Sequence, residues 1–271
     1  MYNDKFNVLI QGPLDETSLS NIDCYRKYGR VVVSYWDDRE FPAKYANKCI
    51  PIEGILPDRN TFHGTENWDT YIYALQSMYN GLLACRRPYT IKVRSDEAFT
   101  FLEPLIETFL EDTDKVVCGN IFHKATYGFH MGDHIFVVKT EDLKNAVWLL
   151  LEKYRRPEIP EEFQWLADSA SAETSLARAI LWSKDLVLHC DVFSETFLSV
   201  DINLLRPFFV QWRHAAKKWD STKGDTFDFG DCGATATPPN TYFWNDKEYT
   251  EKTDTRSAPY PWNDHPDNKK K

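Results

Sequence analysis

Apolar residues in the first part of the chain fall into short runs that end on polar or turn-forming residues. The run from Phe6 to Ile10 is followed by Gln-Gly-Pro, and the run from Val31 to Tyr35 is followed by Trp-Asp-Asp. Short apolar runs bounded by turn signals are typical of buried strands. Residues 17–28 between them have helix-compatible spacing. The pattern predicts a strand, a helix and a second strand, which is the start of a parallel sheet.

The same alternation continues along the chain. Residues 68–85 repeat apolar side chains every three to four positions, which predicts a helix packed on the sheet. The other predicted strands are 49–52, 89–94, 116–122, 135–138 and 186–190, and the other predicted helices are 104–110, 141–154 and 172–182. We therefore expect an α/β protein with a mostly parallel central sheet flanked by helices.

The domain organisation follows from length and from a change in composition. A chain of 271 residues is long enough for one large α/β domain. After residue 220 the sequence becomes rich in Pro, Gly, Thr, Asp and Lys. We expect one domain over residues 1–220 and an irregular tail over 221–271, either wrapped on the domain or partly disordered.

Charge and cysteine usage exclude several classes of protein. The net charge is −9, and the basic residues are scattered apart from the terminal Lys-Lys-Lys, which argues against a nucleic-acid partner. Six cysteines without a C-x-x-C pair indicate reduced thiols. No run of 18 apolar residues occurs and the amino-terminal run is too short for a signal peptide, so we expect a soluble, cytoplasmic protein with at most peripheral membrane association. The oligomeric state stays open.

Candidate chemistry is concentrated at the end of the predicted strand 89–94. The sequence Y-T-I-K-V-R-S-D-E-A-F stops its apolar alternation on Arg94, Ser95 and Asp96. Ligands of open α/β sheets bind beyond the carboxyl ends of the strands, so Arg94 and Asp96 would face a crevice. An acid at such a position is a candidate ligand of a divalent metal, and a guanidinium there is shaped to clamp phosphate. The alternative is an exposed turn acid with no ligand.

The ends of the first two strands carry further candidates: Gln11, Gly12, Pro13, Ser34, Trp36 and Asp37. The first three would form a tight turn that lets a nucleotide approach the backbone, and the other three would hold ribose or base. Lys92 alternates onto the same face as Arg94 and is a further phosphate candidate. Ordinary turn chemistry is the alternative for the glycine, the proline and Asp37.

Four segments, taken in order, resemble the WavE lipopolysaccharide-synthesis family, a group of GT-A-like glycosyltransferases. They are L-I-Q-G-P at 9–13 with V-V-V-S-Y-W at 31–36, N-G-L at 80–82 with I-K-V-R-S-D at 91–96, F-H-M-G-D-H-I-F at 129–136 with K-T-E-D-L at 139–143, and A-E-T-S-L at 172–176. The resemblance runs from about residue 6 to about residue 181. Tyr35 and Thr174 depart from the family pattern, as does the region of Asn67 and Trp68, which affects the expected acceptor and sugar preference more than the fold.

The resemblance implies a GT-A fold and transfer of a sugar from a nucleotide-sugar donor to a growing glycan, with residues 1–100 as the donor half and 101–220 as the acceptor half. The donor would be UDP-linked, a UDP-hexose or UDP-xylose, and the transfer inverting. The donor site would comprise the strand-end residues named above, with Mn²⁺ or Mg²⁺ at Asp96 and His214 as a further metal ligand. Glu173 at a predicted helix start is the expected catalytic base, and Asp133 is its rival; helix-dipole complementation is the alternative role of Glu173.

Two other functions stay open. GT-A glycosyltransferases hold their metal with a D-x-D pair of acids, and R-S-D resembles a degenerate version in which Arg94 replaces the first acid and Asp96 remains. The loss of that acid is compatible with a catalytically silent carbohydrate-binding protein of the same fold. A metal-dependent hydrolase would instead use the cluster of His123, His130, Asp133 and His134, whose spacing fits no zinc-protease pattern.

Overall fold

The fold is that of a computed structural model, which describes residues 2–37, 39–58, 69–120, 131–156, 172–186, 188, 190–205, 207–212 and 215–217. The predicted tail over 221–271 lies outside the described residues, as do His123, His130 and His214.

The described part of the chain is built on a seven-stranded sheet. The described strands are β1 (Phe6–Gln11), β2 (Arg30–Trp36), β3 (Ile50–Gly54), β4 (Tyr89–Arg94), β5 (Ala98–Phe99), β6 (Val116–Gly119), β7 (Ile135–Lys139), β8 (Phe197–Val200), β9 (Pro207–Trp212) and β10 (Ala215–Lys217). Their order in the main sheet is β3-β2-β1-β4-β7-β6-β8, and β10, β9 and β5 form a second, small sheet. Among the described strands of the main sheet, β7 alone runs antiparallel to its neighbours.

Helices cover both faces of the main sheet. They are α1 (Glu16–Ser20), α2 (Ile22–Tyr25), α3 (Asp69–Ala84), α4 (Glu103–Glu111), α5 (Thr140–Arg155), α6 (Ala172–Ser183) and α7 (Cys190–Thr196), with 3₁₀ turns at Ala43–Tyr45 and Ile202–Leu205. One core lies between the sheet and α1, α2 and α4, and the other between the sheet and α3, α5, α6 and α7. Among the described helices none is long and apolar enough to cross a membrane.

Strand β1 shows why this sequence forms a central strand. All six of its residues are buried. Val8 and Ile10 belong to one core and Leu9 to the other, as strand geometry requires when both faces are covered. Full burial of such a side chain contributes about 1.5–3 kcal/mol. The predicted fold class, an α/β protein with a mostly parallel central sheet flanked by helices, is confirmed; its GT-A character stays a prediction.

A buried amide sets the register on which the functional edge depends. Asn7 is fully buried, and its side-chain nitrogen donates to the backbone carbonyls of Arg87 and Tyr89, both at 3.1 Å. These bonds fix the turn before β4 against β1. In the resulting parallel register, Gln11 at the end of β1 lies opposite Arg94 at the end of β4.

Two predicted elements are different in the structure. The strand predicted at 186–190 is wrong, because Leu186 lies outside any strand and α7 begins at Cys190. The terminal strand of the sheet is β8 instead, whose Phe197 and Val200 are buried and which pairs in parallel with β6. The single helix predicted over 17–28 is divided into α1 and α2 at Asn21, whose side chain donates to the carbonyl of Phe99 at 2.7 Å.

Candidate active site

The ends of three adjacent strands meet at one edge of the main sheet. Strands β1 and β4 are parallel and end together, while β7 is antiparallel and begins at that same edge. The backbone N–H of Arg94 donates to the carbonyl of His134 at 3.3 Å, which places residues 131–134 beside the end of β4. The carboxyl edge of the sheet therefore gathers the R-S-D-E sequence and the segment that carries Asp133.

The turn after β1 requires glycine. Gly12 has a φ of +133°, a conformation that residues with a side chain rarely adopt. A Cβ added there would lie 2.5 Å from the hydroxyl oxygen of Ser95, which is itself 4% exposed. The N–H of Ser95 donates to the carbonyl of Gln11 at 3.0 Å, so the turns after β1 and β4 are tied together. Gln11 is buried, whereas Pro13 is exposed at the surface of this edge.

Arg94 and Asp96 form a two-pronged ion pair at the end of β4. The Nε and Nη2 atoms of Arg94 donate to the two carboxylate oxygens of Asp96 at 2.9 and 2.8 Å. The two side chains are 35% and 24% exposed, so the pair is open to a ligand. Burial opposes both charges, yet the paired hydrogen bonds raise the pKa of Arg94 and lower the pKa of Asp96. The Nη1 atom of Arg94 makes no hydrogen bond to the described part of the chain.

Glu97 was not among the predicted site residues. Its side chain is fully buried, and one carboxylate oxygen contacts Nδ1 of His134 and lies 3.8 Å from Nε of Arg94. A buried carboxylate is costly unless it is paired, so this contact fixes His134 and supports the guanidinium of Arg94. The sequence feature that could have identified Glu97 is its position next to Ala98 and Phe99, because an acid adjoining a buried apolar pair is not an ordinary surface turn residue.

Lys92 is buried beneath the edge and does not face solvent. It is 1% exposed, and its ammonium donates to the backbone carbonyl of Asp133 and lies 3.9 Å from the carboxylate of that residue. Burial lowers the pKa of Lys92, and the charge of Asp133 partly offsets that effect. The lysine therefore anchors the segment before β7, while the side chain of Asp133 remains 26% exposed.

The two candidate bases both act electrostatically on one tyrosine. Tyr71 of α3 is buried, and its pKa is raised first by burial and then by the charges of Tyr154, Glu173 and Asp133. Glu173 lies in the first turn of α6 and is half-buried. The fold thus brings an acid from α6 and an acid from the segment before β7 to one neighbourhood, although they are 40 positions apart in sequence.

The predicted residues at the end of β2 have different environments. The hydroxyl of Ser34, which is 1% exposed, donates to the carbonyl of Ser77 at 2.6 Å and joins β2 to α3. Trp36 is 6% exposed, and its ring packs edge-on against Tyr73 at a centroid distance of 6.2 Å. Asp37 is exposed at the strand end. Of these three, Asp37 is the residue that a ligand reaches without rearrangement of the core.

A resident divalent metal at Asp96 does not fit the residues around it. Each oxygen of Asp96 already accepts a hydrogen bond from Arg94, and a divalent ion 4 Å from a unit positive charge is repelled by about 8 kcal/mol at an effective dielectric constant of about 20. The first acid of a D-x-D pattern would attract a divalent ion, whereas Arg94, at the same position, repels it. No group of three or more His, Cys, Asp and Glu side chains in the described ranges is arranged to hold a metal ion. The metal assignment to Asp96 and His214 stays a prediction.

A separate cavity of about 760 Å³ lies along the outer strand of the sheet. It is formed by the end of β3 and by α3, with Ile52, Gly54, Gln76 and Asn80 among its lining residues. None of the predicted site residues lines it. Its described walls lack a grouping of acids or nucleophiles, and the candidate chemistry remains at the ends of β1, β4 and β7.

Neither a protein-family model nor a curated protein sequence matches the chain, so the resemblance to the WavE family stays a prediction. Among solved structures, a fragment of S. aureus TarS in complex with UDP-GlcNAc is similar to this chain with a TM-score of 0.39 and 15% identity, over 66% of this chain and 54% of that one. The glycosyltransferase GlyE of Streptococcus pneumoniae gives a TM-score of 0.37 and 12% identity, over 73% of this chain and 45% of that one. The 2-C-methyl-D-erythritol 4-phosphate cytidylyltransferase of Thermus thermophilus gives a TM-score of 0.37 and 10% identity, over 67% of this chain and 99% of that one.

The chain thus spans about half the length of the TarS fragment and of GlyE, and 34% of a longer TarS chain. What this protein does is therefore inferred from its own side chains.

Proposed function

We propose that the protein is a GT-A-like glycosyltransferase that moves a sugar from a nucleotide-sugar donor onto a glycan hydroxyl. The observation that carries this proposal is the meeting of three elements at one sheet edge: the Gly12 turn, the partly exposed guanidinium of Arg94, and the carboxylate of Asp133. A tight glycine turn lets a ligand approach the backbone, and a guanidinium at a strand end matches the geometry of phosphate oxygens. The donor is UDP-linked and carries a hexose or a pentose such as xylose.

The proposed reaction is a direct, inverting displacement. The acceptor oxygen attacks the anomeric carbon while the bond between that carbon and the diphosphate oxygen breaks. The electron pair leaves with the nucleoside diphosphate, and the hydroxyl proton passes to a carboxylate. General-base catalysis of this kind contributes about 10²- to 10⁴-fold.

Glu173 is the proposed base and Asp133 the alternative. Both carboxylates lie in the neighbourhood of Tyr71. Asp133 also has a structural partner in Lys92, so its substitution would disturb the segment before β7. Glu173 lies on a different element, in the first turn of α6.

The experiment is a nucleotide-release assay with UDP-glucose, UDP-galactose and UDP-xylose, with and without a glycan acceptor. Wild-type protein is expected to release UDP, and Glu173→Gln to retain donor binding while release falls by about 10²-fold or more. Glu141→Gln is the matched control, because Glu141 is likewise a first-turn acid, of α5, and is exposed. Unchanged release in Glu173→Gln would assign the base to Asp133.

A catalytically silent carbohydrate-binding protein is the second candidate, favoured by the closure of Arg94 on the acid of R-S-D. Such a protein would bind glycans without releasing UDP from any of the three donors. The absence of release, together with glycan binding, would replace the transferase proposal with this one.

A further inference from the structure

We propose that the leaving diphosphate is neutralised by Arg94, positioned by Asp96, and that nucleotide binding at this edge requires no divalent metal. This inference rests on the proposed function and gives its donor site a specific chemistry. It assigns Asp96 a different role from that of a metal ligand: the carboxylate holds the guanidinium in place.

Arg94 has more hydrogen-bond donors than its pairing with Asp96 uses. A guanidinium carries five N–H donors in one plane. Nε and Nη2 each direct a donor to Asp96, which occupies one edge of the group. Nη1, with two donors, and the second donor of Nη2 form the opposite edge, which is free of hydrogen bonds to the described residues. That edge has the paired geometry that recognises phosphate oxygens.

Two carboxylates restrain the guanidinium of Arg94. Asp96 grips it from one side, and buried Glu97 lies 3.8 Å from its Nε atom. Two carboxylates that fix the same group reduce the side-chain freedom that binding would otherwise have to restrict. The arrangement therefore presents a preorganised cation at the carboxyl ends of β1 and β4.

The charged groups beside Arg94 are already paired with one another. Lys92 is buried with Asp133, and Glu97 is buried against His134, so those groups are already engaged. Arg94 is the partly exposed cation among them, with 35% of its side chain accessible. As the bond from the anomeric carbon breaks, charge develops on the terminal phosphate oxygen, and the free N–H groups of Arg94 hydrogen-bond to it without giving up a proton.

The test is calorimetric titration of the full chain with UDP and with inorganic pyrophosphate, each in excess EDTA and again with Mn²⁺. Pyrophosphate reports on the diphosphate subsite without a base. We expect the UDP dissociation constant in EDTA to agree with the Mn²⁺ value within about threefold. Because this comparison uses wild-type protein, it does not depend on the folding of a variant.

Three variants separate the roles. Arg94→Lys keeps the charge but loses the planar guanidinium with its paired N–H donors. It is expected to raise the dissociation constants for UDP and pyrophosphate by about 10- to 100-fold. Asp96→Asn is expected to stay within about tenfold of wild type and to show no new response to Mn²⁺. Arg26→Lys is the matched control, because Arg26 forms an exposed pair with Asp23 at 3.7 Å beside α2, and it should leave binding unchanged.

The outcomes are distinct. Binding that appears only with Mn²⁺, and is lost in Asp96→Asn, would overturn this inference while leaving a nucleotide-sugar transferase intact. Failure of both UDP and pyrophosphate to bind, in EDTA and with Mn²⁺ alike, would overturn both the inference and the proposed function. Undiminished binding by Arg94→Lys would also overturn the inference, because the paired N–H donors would then not contact the diphosphate.

Discussion

Substitution of Gly12 by alanine tests the geometry of the donor turn most quantitatively. The φ of +133° at this position costs a residue with a side chain about 1–3 kcal/mol in backbone strain. The new Cβ would also lie 2.5 Å from the Ser95 hydroxyl, in a buried site where overpacking costs about 1–3 kcal/mol. Since strain and crowding act together, Gly12→Ala is expected to lower the free energy of unfolding by about 2–6 kcal/mol.

The assay is urea denaturation of Gly12→Ala, Ser95→Ala and the double variant. Removal of the Ser95 hydroxyl relieves the crowding but leaves the backbone strain, so the double variant should recover about 1–3 kcal/mol of the loss. The two substitutions would then be non-additive, as expected for residues in contact. A loss of less than about 0.5 kcal/mol in Gly12→Ala, or strict additivity, would refute the close approach of the turns after β1 and β4.

Three further predictions follow from buried or paired polar groups. Glu97→Ala leaves His134 without its carboxylate and should cost about 3–5 kcal/mol in urea melts; a cost similar to that of a surface substitution would contradict the buried pairing. Ser34→Ala breaks the bond to Ser77 and should cost about 1–2 kcal/mol of stability without changing UDP affinity, whereas weakened UDP binding would restore Ser34 to the donor site. The pKa of Asp96 is lowered in the folded state, so its contribution to stability is complete above the ordinary pKa of about 3.9 and is lost progressively as the pH falls from there through the lower folded-state pKa; Asp96→Asn should be less stable than wild type at about pH 7, and the difference should shrink steadily as the pH falls below about 4, whereas a difference that does not change with pH would contradict the pairing.

Elements with strong local patterns were predictable from the sequence. Strands β1 and β2 are buried on both faces, and each is a short apolar run with turn residues after it. Strand β4 was predictable from its alternation of apolar and polar residues, and β7 from its short apolar run. Helix α3 follows from its apolar periodicity. The strand predicted at 186–190 was wrong because a short apolar run does not specify its pairing partner. The strand that pairs in parallel with β6 at the end of the sheet is β8.

The site was predictable as a set of strand ends but not as a set of contacts. The run I-K-V-R-S-D indicated where a ligand would bind. It did not indicate that Arg94 would close on Asp96, or that Lys92 would lie beneath Asp133, because these contacts depend on side-chain direction and on the antiparallel entry of β7. Burial also decided the environment of Ser34, whose hydroxyl belongs to the packing of α3 on the sheet.

A crystal structure of the protein with UDP, grown without divalent metal, tests most directly whether Arg94 binds the diphosphate at this edge. We expect the diphosphate to lie at the ends of β1 and β4, with a phosphate oxygen within about 3.2 Å of a guanidinium nitrogen of Arg94. UDP bound elsewhere, for example in the cavity between β3 and α3, or bound at the edge with Arg94 turned away, would contradict it.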